Sequence, residues 1–260
     1  MSDIKTSFSG ERGRRGARGE RGERGKRGSR GATGPTGPSS GALIGRQVFR
    51  LASIGTYDPT PGTTRAVVRG CGGGGGGGGV GPTTASQVAV SSGGNSGVSI
   101  EAEIIAPPDT FLTGGSIAVG AGGTGSTGLN DGSVGGDSTL LIGGVTLTAP
   151  GGVGGAHGGG SVPPIITGSP VAQTFTTGVD YQELALGAPG FGLSTSTLAV
   201  AGGNGGDGDY GVGGLGGLNN NGFDASENGG GGGGCSNAPN NPAATGGDGS
   251  DGLWIIEEYS

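Results

Sequence analysis

Histidine, methionine and tryptophan each occur once in this 260-residue chain, cysteine twice, and aromatic residues make up only 4%. The lone histidine, His157, has no second one with which to build a His-ligated zinc site. It sits in Gly154-Gly-Ala-His-Gly-Gly159, with no spacing for a catalytic triad. Charged residues are 13%, against about 25% in an ordinary soluble domain. Long stretches free of glycine and proline are also missing: the longest is ten residues, 83–92. A helix interior loses about 1 kcal/mol per Gly and about 3 per Pro, so a helix of average length does not fit. A helical or α/β enzyme is therefore excluded. No run approaches the ~20 apolar residues of a membrane span, and residues 1–10 carry no apolar export segment. The expectation is a chain that stays in the cytoplasm or leaves the cell by a route such as lysis. Cys71 and Cys235 are too few for a disulfide scaffold, although one bridge between them stays geometrically open.

What is abundant is glycine, 72 residues, with 14 prolines. Together they form about a third of the chain, which points to β, polyproline-II (PPII) or disordered structure. Charge is split unevenly. Residues 10–38 carry a net +6, whereas 39–260 carry −12. Two modules with different surroundings are implied.

The first module is periodic. Gly10, Gly13, Gly16, Gly19, Gly22, Gly25, Gly28, Gly31, Gly34 and Gly37 recur every third residue. Only glycine fits at the axis of three wound PPII chains, so this register predicts a collagen-like triple helix over 10–38, and hence a homotrimer. Arg12, Arg15, Arg18, Arg21, Arg24, Arg27 and Arg30 fill the third position of the first seven triplets. Glu20 and Glu23 can pair with arginines of neighbouring chains and help fix register. The basic rod could instead contact nucleic acid, but no aromatic side chain interleaves its arginines to stack on bases. A solvated spacer is the preferred reading. With only two prolines in its repeat, the rod needs a trimerising element, for which the C-terminal domain is the candidate.

From Gln47 onward, short apolar runs alternate with glycine-rich turns. Strands are predicted at 46–52, 65–69, 86–91, 98–105, 111–119, 138–149, 171–177, 181–186, 195–201 and 253–259. Val98, Ile100, Ala102 and Ile104 should face inward, with Ser99, Glu101 and Glu103 outward. Contiguous Trp254, Ile255 and Ile256 predict a strand buried on both faces. Asn130-Asp-Gly132 and Asn221-Gly222 read as tight turns. The fold class is all-β: a collagen-like segment followed by a glycine-rich, β-sandwich-like head with PPII or polyglycine segments. The runs Gly72–Gly79 and Gly229–Gly234 allow two readings, close packing where no Cβ fits or flexible linkage. The cysteines bordering them and the strands nearby favour packing.

Gln47-Val-Phe49, Gly55-Thr-Tyr-Asp-Pro-Thr-Pro-Gly62 and Ala66-Val-Val-Arg-Gly-Cys71 running into Gly72–Gly79 resemble the opening of the glycine-rich domain of bacteriophage tail fibres. Gly115-Ser-Ile-Ala-Val-Gly-Ala-Gly-Gly123 resembles an internal element of those domains, and Gly252-Leu-Trp-Ile-Ile-Glu-Glu-Tyr259 their closing strand. The likeness spans most of 46–260. Gly31-Ala-Thr-Gly-Pro-Thr-Gly-Pro38 also resembles the stalks of spore exosporium hair proteins, which carry far longer arrays. The resemblance implies a virion fibre or spike, assembled in the host cytoplasm. Residues 1–9 would be its attachment peptide to other virion proteins, 10–38 the spacer, 39–45 a linker and 46–260 the head. The head would bind a host-surface glycan or protein, with no enzymatic activity, cofactor, nucleic-acid partner or membrane insertion. A purely structural virion connector and a bacterial or spore-surface filament are the alternatives.

Binding residues concentrate on polar loops of rigid scaffolds. That rule selects Tyr210, Asn219, Asn220, Asn221, Phe223, Asp207 and Asp209 as receptor-binding candidates, because amides and carboxylates can bond sugar hydroxyls while an aromatic ring stacks. The bland alternative is that Tyr210 and Phe223 only pin glycine loops to the head. Gly246–Trp254 and Gly202–Tyr210 echo the calcium-binding nonapeptide, but two copies 44 residues apart cannot stack as calcium rolls do. No metal is expected; Asp207, Asp209, Asp248 and Asp251 are the first candidates for holding an ion, and three copies of His157 on a trimer axis are a further one.

Overall fold

A computed structural model describes residues 41–105, 114–142, 144–163, 165–167, 182–185, 188 and 190–260. The chain divides between Ser39 and Ser40. The attachment peptide, the collagen-like register and the strand expected at 171–177 lie outside the described residues.

The described residues are all-β, with open sheets and no α-helix. In chain order the strands are β1 Leu43–Arg50, β2 Ser53–Tyr57, β3 Arg65–Cys71, β4 Ala89–Val90, β5 Ser99–Ile105, β6 Gly115–Val119, β7 Ser138–Ile142 and β8 Val145–Ala149. They continue with β9 Ile165–Thr167, β10 Gln182–Ala185, β11 Gly192–Ser196, β12 Ala199–Ala201, β13 Gly211–Val212, β14 Ser226–Glu227, β15 Ser236–Asn237 and β16 Leu253–Tyr259. A five-stranded antiparallel sheet has the order β1-β16-β3-β5-β10, and a four-stranded one runs β2-β6-β7-β8. Period-two alternation puts Val68, Ile100, Ala102, Ile104, Trp254 and Ile256 of the first sheet into one apolar cluster. Tyr57, Ile117, Val119, Leu140, Ile142 and Leu147 of the second share it.

Glu258 also points inward and is fully buried. Its carboxylate accepts from the Tyr57 hydroxyl at 2.5 Å, the Thr60 hydroxyl at 2.5 Å and Gln47 Nε2 at 3.1 Å. A buried charge needs such partners. The closing strand is thereby tied to the opening segment of the head.

Several boundaries differ from expectation. β1 starts at Leu43, inside the predicted linker, because Leu43 pairs with Tyr259 of the closing strand. The single strands expected at 138–149 and 195–201 are instead hairpins or their parts, β7-β8 and β11-β12. The 86–91 strand shrinks to β4. Ser99 is buried rather than outward, and Ile255 turns to a half-covered face while Trp254 and Ile256 are buried. The chain does not turn at Asn130–Gly132 or Asn221–Gly222. It bends at Gly128, with φ +70°, and around Asn219, with φ +54°.

The polyglycine run 72–79 has neighbours on every side. Its N–H groups donate in rotation to three segments: Gly72, Gly75 and Gly78 to Val98, Asn95 and Ser92; Gly73, Gly76 and Gly79 to Gly136, Ser133 and Asn130; Gly74 and Gly77 to Ser250 and Gly247. Its carbonyls accept from three more: Gly152, Gly155 and Gly158; Gly123 and Ser126; and Gly232. Each neighbour is met at intervals of three residues, which is the turn of a PPII helix. Such a helix makes no internal hydrogen bonds, so every backbone group is free for its neighbours.

The second run, 229–234, is enclosed in the same way by 91–97, 203–206, 212–217, 223–225, 247–251 and the first run. A Cβ added at any residue from Gly72 to Gly79 would lie within 2.5 Å of a neighbouring backbone carbonyl. Glycine is therefore required by packing, and the flexible-linker reading fails. The strands β3, β6 and β8 run directly into glycine segments, and β5, β7 and β16 emerge from them. Where side chains give way to hydrogen atoms, the layers close up.

Candidate functional site

In a three-residue turn, a helix on the outside of the bundle points two positions inward or sideways and one outward. Glycine fills most of the inward positions, which produces the repeated Gly-Gly-x of 202–207 and 213–218 and, with Ser250 in one place, the Gly-Gly-Asp-Gly-Ser-Asp of 246–251. The x residues divide into two kinds. Some close the seam between two outer helices, where a backbone N–H has no carbonyl opposite it. There a short polar side chain accepts: Asn204 from Gly216 and Asp207 from Gly213, Asn221 from Thr245 and Asp224 from Asp248, Asp248 from Gly125 and Asp251 from Gly122. Others have no seam to close and face outward.

This sorting relocates the residues singled out from sequence. Asp207 and Asn221 are seam acceptors. Asn219 adopts its positive φ at the bend while its Oδ1 accepts from Ala238 N–H and Asn241 Nδ2, both at 2.6 Å. Asn220 Oδ1 accepts from Asn221 N–H. These amides are committed to the bundle. Tyr210 is half-buried beside Cys71, Arg69 and Asp209, and burial is the main reason its hydroxyl pKa is raised. Asp209 is exposed next to it. Nine residues of extended chain, about 28 Å at PPII rise, separate Tyr210 from Asn219, so the set does not converge. The segment is also not a set of polar loops; it is part of the packed bundle.

Phe223 is the one aromatic of the set with a largely free side chain; the Asp209 carboxylate is exposed too. Its N–H donates to Leu215 O, and Gly233 N–H donates to its carbonyl, so the backbone is fixed while the ring stands in solvent. Beside it Val212, at the end of β13, and Leu215 and Leu218 of the glycine segment that follows point outward at intervals of three residues, and all four residues are between 57% and 75% exposed. The three aliphatic residues were missed by the strand-based reading. Their signal was Val212-Gly-Gly-Leu-Gly-Gly-Leu218, an apolar residue at every third position, which neither a strand nor an α-helix uses. Singly exposed apolar residues need no explanation, but a rigid contiguous row does.

The surroundings are acidic. Asp207, Asp209, Asp224 and Glu227 are exposed, and no Lys or Arg follows Arg69 in the chain. Among the described residues, no three His, Cys, Asp or Glu side chains are grouped to hold a metal ion. Asp248 and Asp251 each accept a backbone N–H across a seam. His157 Nδ1 lies 2.7 Å from Asp131 Oδ1, which also accepts the His157 backbone N–H; that backbone bond is the main cause of the lowered Asp131 pKa. Cys71 and Cys235 are free, buried thiols, and burial pushes Cys71 up to about 12. Comparison of the chain with protein-family models and with curated protein sequences finds no match.

Proposed function

We propose that this chain is a bacteriophage virion fibre or spike whose head adheres to the host cell surface. The observation that carries the reading is the row Val212, Leu215, Leu218 and Phe223, held in solvent by a backbone hydrogen-bonded to 202–207, 226–227 and 231–234. A rigid scaffold that presents side chains without ordering cost suits binding, and exposed apolar rows on such a scaffold mark contact sites. In this reading the head is sandwich-like where the two large sheets share their core. The segment 10–38 is a collagen-like triple helix, and three heads per fibre add avidity to weak individual contacts. The acidic surroundings argue for a neutral or cationic receptor patch, since nothing beyond Arg69 can pair with phosphate or sulfate.

The test is adsorption of fluorescently labelled full-length protein to a panel of bacterial strains with different envelopes. Strains that capture the wild type should lose at least tenfold of the signal with Leu215→Ser/Phe223→Ser, whose melting temperature should be unchanged. Equal capture by that variant, or no capture by any strain, overturns the reading.

A further inference from the structure

The outer face of the five-stranded sheet differs from the rest of the head in charge. All four basic residues of 39–260, namely Arg46, Arg50, Arg65 and Arg69, lie on β1 and β3. Three of them are neutralised within the face. Arg69 is held between Glu101 at 2.8 Å and Glu257 at 3.0 Å; Arg65 pairs with Glu103 at 3.1 Å; Arg46 lies 3.9 Å from Glu257. Arg65 also caps the ring of Tyr259 at 4.4 Å. Between these pairs stand apolar side chains. Leu43, Val48 and Ile105 are exposed, and Val67 and Ile255 are half-buried on the same face. Registry joins them in rows: Val48 opposite Ile255, and Tyr259 between Leu43 and Arg65, with Ile105 next. The face is thus nearly neutral and partly apolar, and the rest of 39–260 carries acidic residues and no basic one. Like charges would repel if two heads met through the acidic stretches 207–227 or 248–251; here they would not.

We infer that this face is where the heads of one fibre pack together, its occupants being two further copies of this chain. The inference rests on the trimeric reading above and deepens it by naming the surface. Four strands of about seven residues and the four-residue β10, at about 4.8 Å between strands and about 3.4 Å per residue, make a face of roughly 520 Å². That is less than the ~800 Å² per partner of a standard interface, so the face would associate poorly between free heads. The chain supplies what is missing. Only residues 38–42 separate the last collagen-like glycine, Gly37, from β1, about 18 Å when extended. Tethers this short raise the effective concentration of each face into the millimolar range.

Thiol accessibility in the full-length chain tests this, because both native cysteines are buried with raised pKa values and stay silent. Val48→Cys and, as a second position, Ile105→Cys are labelled with a maleimide alongside Leu198→Cys, at an exposed residue in the turn between β11 and β12. Sedimentation gives the mass in parallel. The expected result is a species of three 24.4 kDa chains in which Cys at 48 and 105 reacts at least tenfold more slowly than Cys at 198. Adding Gly22→Ala, which breaks the collagen-like register, should bring the three rates together. A trimer with equal rates overturns the interface and leaves the fibre reading intact. A monomer overturns both.

Discussion

Replacing Gly76 by alanine separates the packing explanation of the glycine runs from any other. The new Cβ would sit 2.1 Å from Thr124 O and 2.3 Å from its carbonyl carbon, whereas ordinary contact begins at 3.4 Å. The segment carrying Thr124 must therefore retreat by about 1.3 Å. It is held by Gly123 N–H to Gly74 O at 2.8 Å and Ser126 N–H to Gly77 O at 3.1 Å. A retreat of that size carries both beyond hydrogen-bonding distance. Each lost pairing of buried backbone groups costs about 1–3 kcal/mol, so losing both should destabilise by about 2–6 kcal/mol. The opposing gain from a stiffer unfolded chain is only about 0.4–1 kcal/mol.

Gly55→Ala is the matched control: its Cβ meets only Ile117 Cγ2, at 3.7 Å, on an edge strand. Gly159→Ala is a second, meeting only Leu129 Cδ2 at 3.9 Å. For a head of this size, thermal unfolding should fall by roughly 4–24 °C for Gly76→Ala. The controls should stay within about 2 °C of wild type. Stability of Gly76→Ala within about 1 kcal/mol of Gly55→Ala would refute the packing argument.

Other expectations follow from the buried polar groups. Asp248→Asn should be nearly neutral because the amide oxygen can still accept from Gly125 N–H, whereas Asp248→Ala should lose about 1 kcal/mol in denaturant unfolding. Glu258→Leu strands the Tyr57 and Thr60 hydroxyls and should destabilise by about 2–4 kcal/mol, with Glu258→Gln in between. The Tyr57 pKa is raised, first by burial and then by Glu258. Its folded value lies above the unfolded one, so its contribution is complete below about pH 10 and is lost as pH rises further. Alkaline titration of the melting temperature should show that loss in wild type and a shallower one in Tyr57→Phe. Cys71 and Cys235 should resist maleimide at neutral pH and react only when the chain unfolds.

Much of the sheet architecture was visible in the residues. The alternation of β5 marked Ile100, Ala102 and Ile104 as core, and the closing strand was located to the residue. The site was read less well. Asparagine and aspartate in 202–251 resembled loop ligands because polarity alone does not say which N–H a side chain will meet. Asn219 and Asp207 meet backbone donors of adjacent segments. Val212, Leu215 and Leu218 escaped notice because their three-residue spacing belongs to neither of the patterns being sought.

By itself the amino-acid order decided that a helix of average length has no room in this head, that its glycines were too many for ordinary loops, and that charge would divide at about residue 38. Those are local properties, set by missing Cβ atoms and by residue type. Only the tertiary structure decided what surrounds each glycine. A PPII segment makes no bonds of its own, so its neighbours, and with them the choice between buried seam and open surface, come from segments tens to more than a hundred residues away.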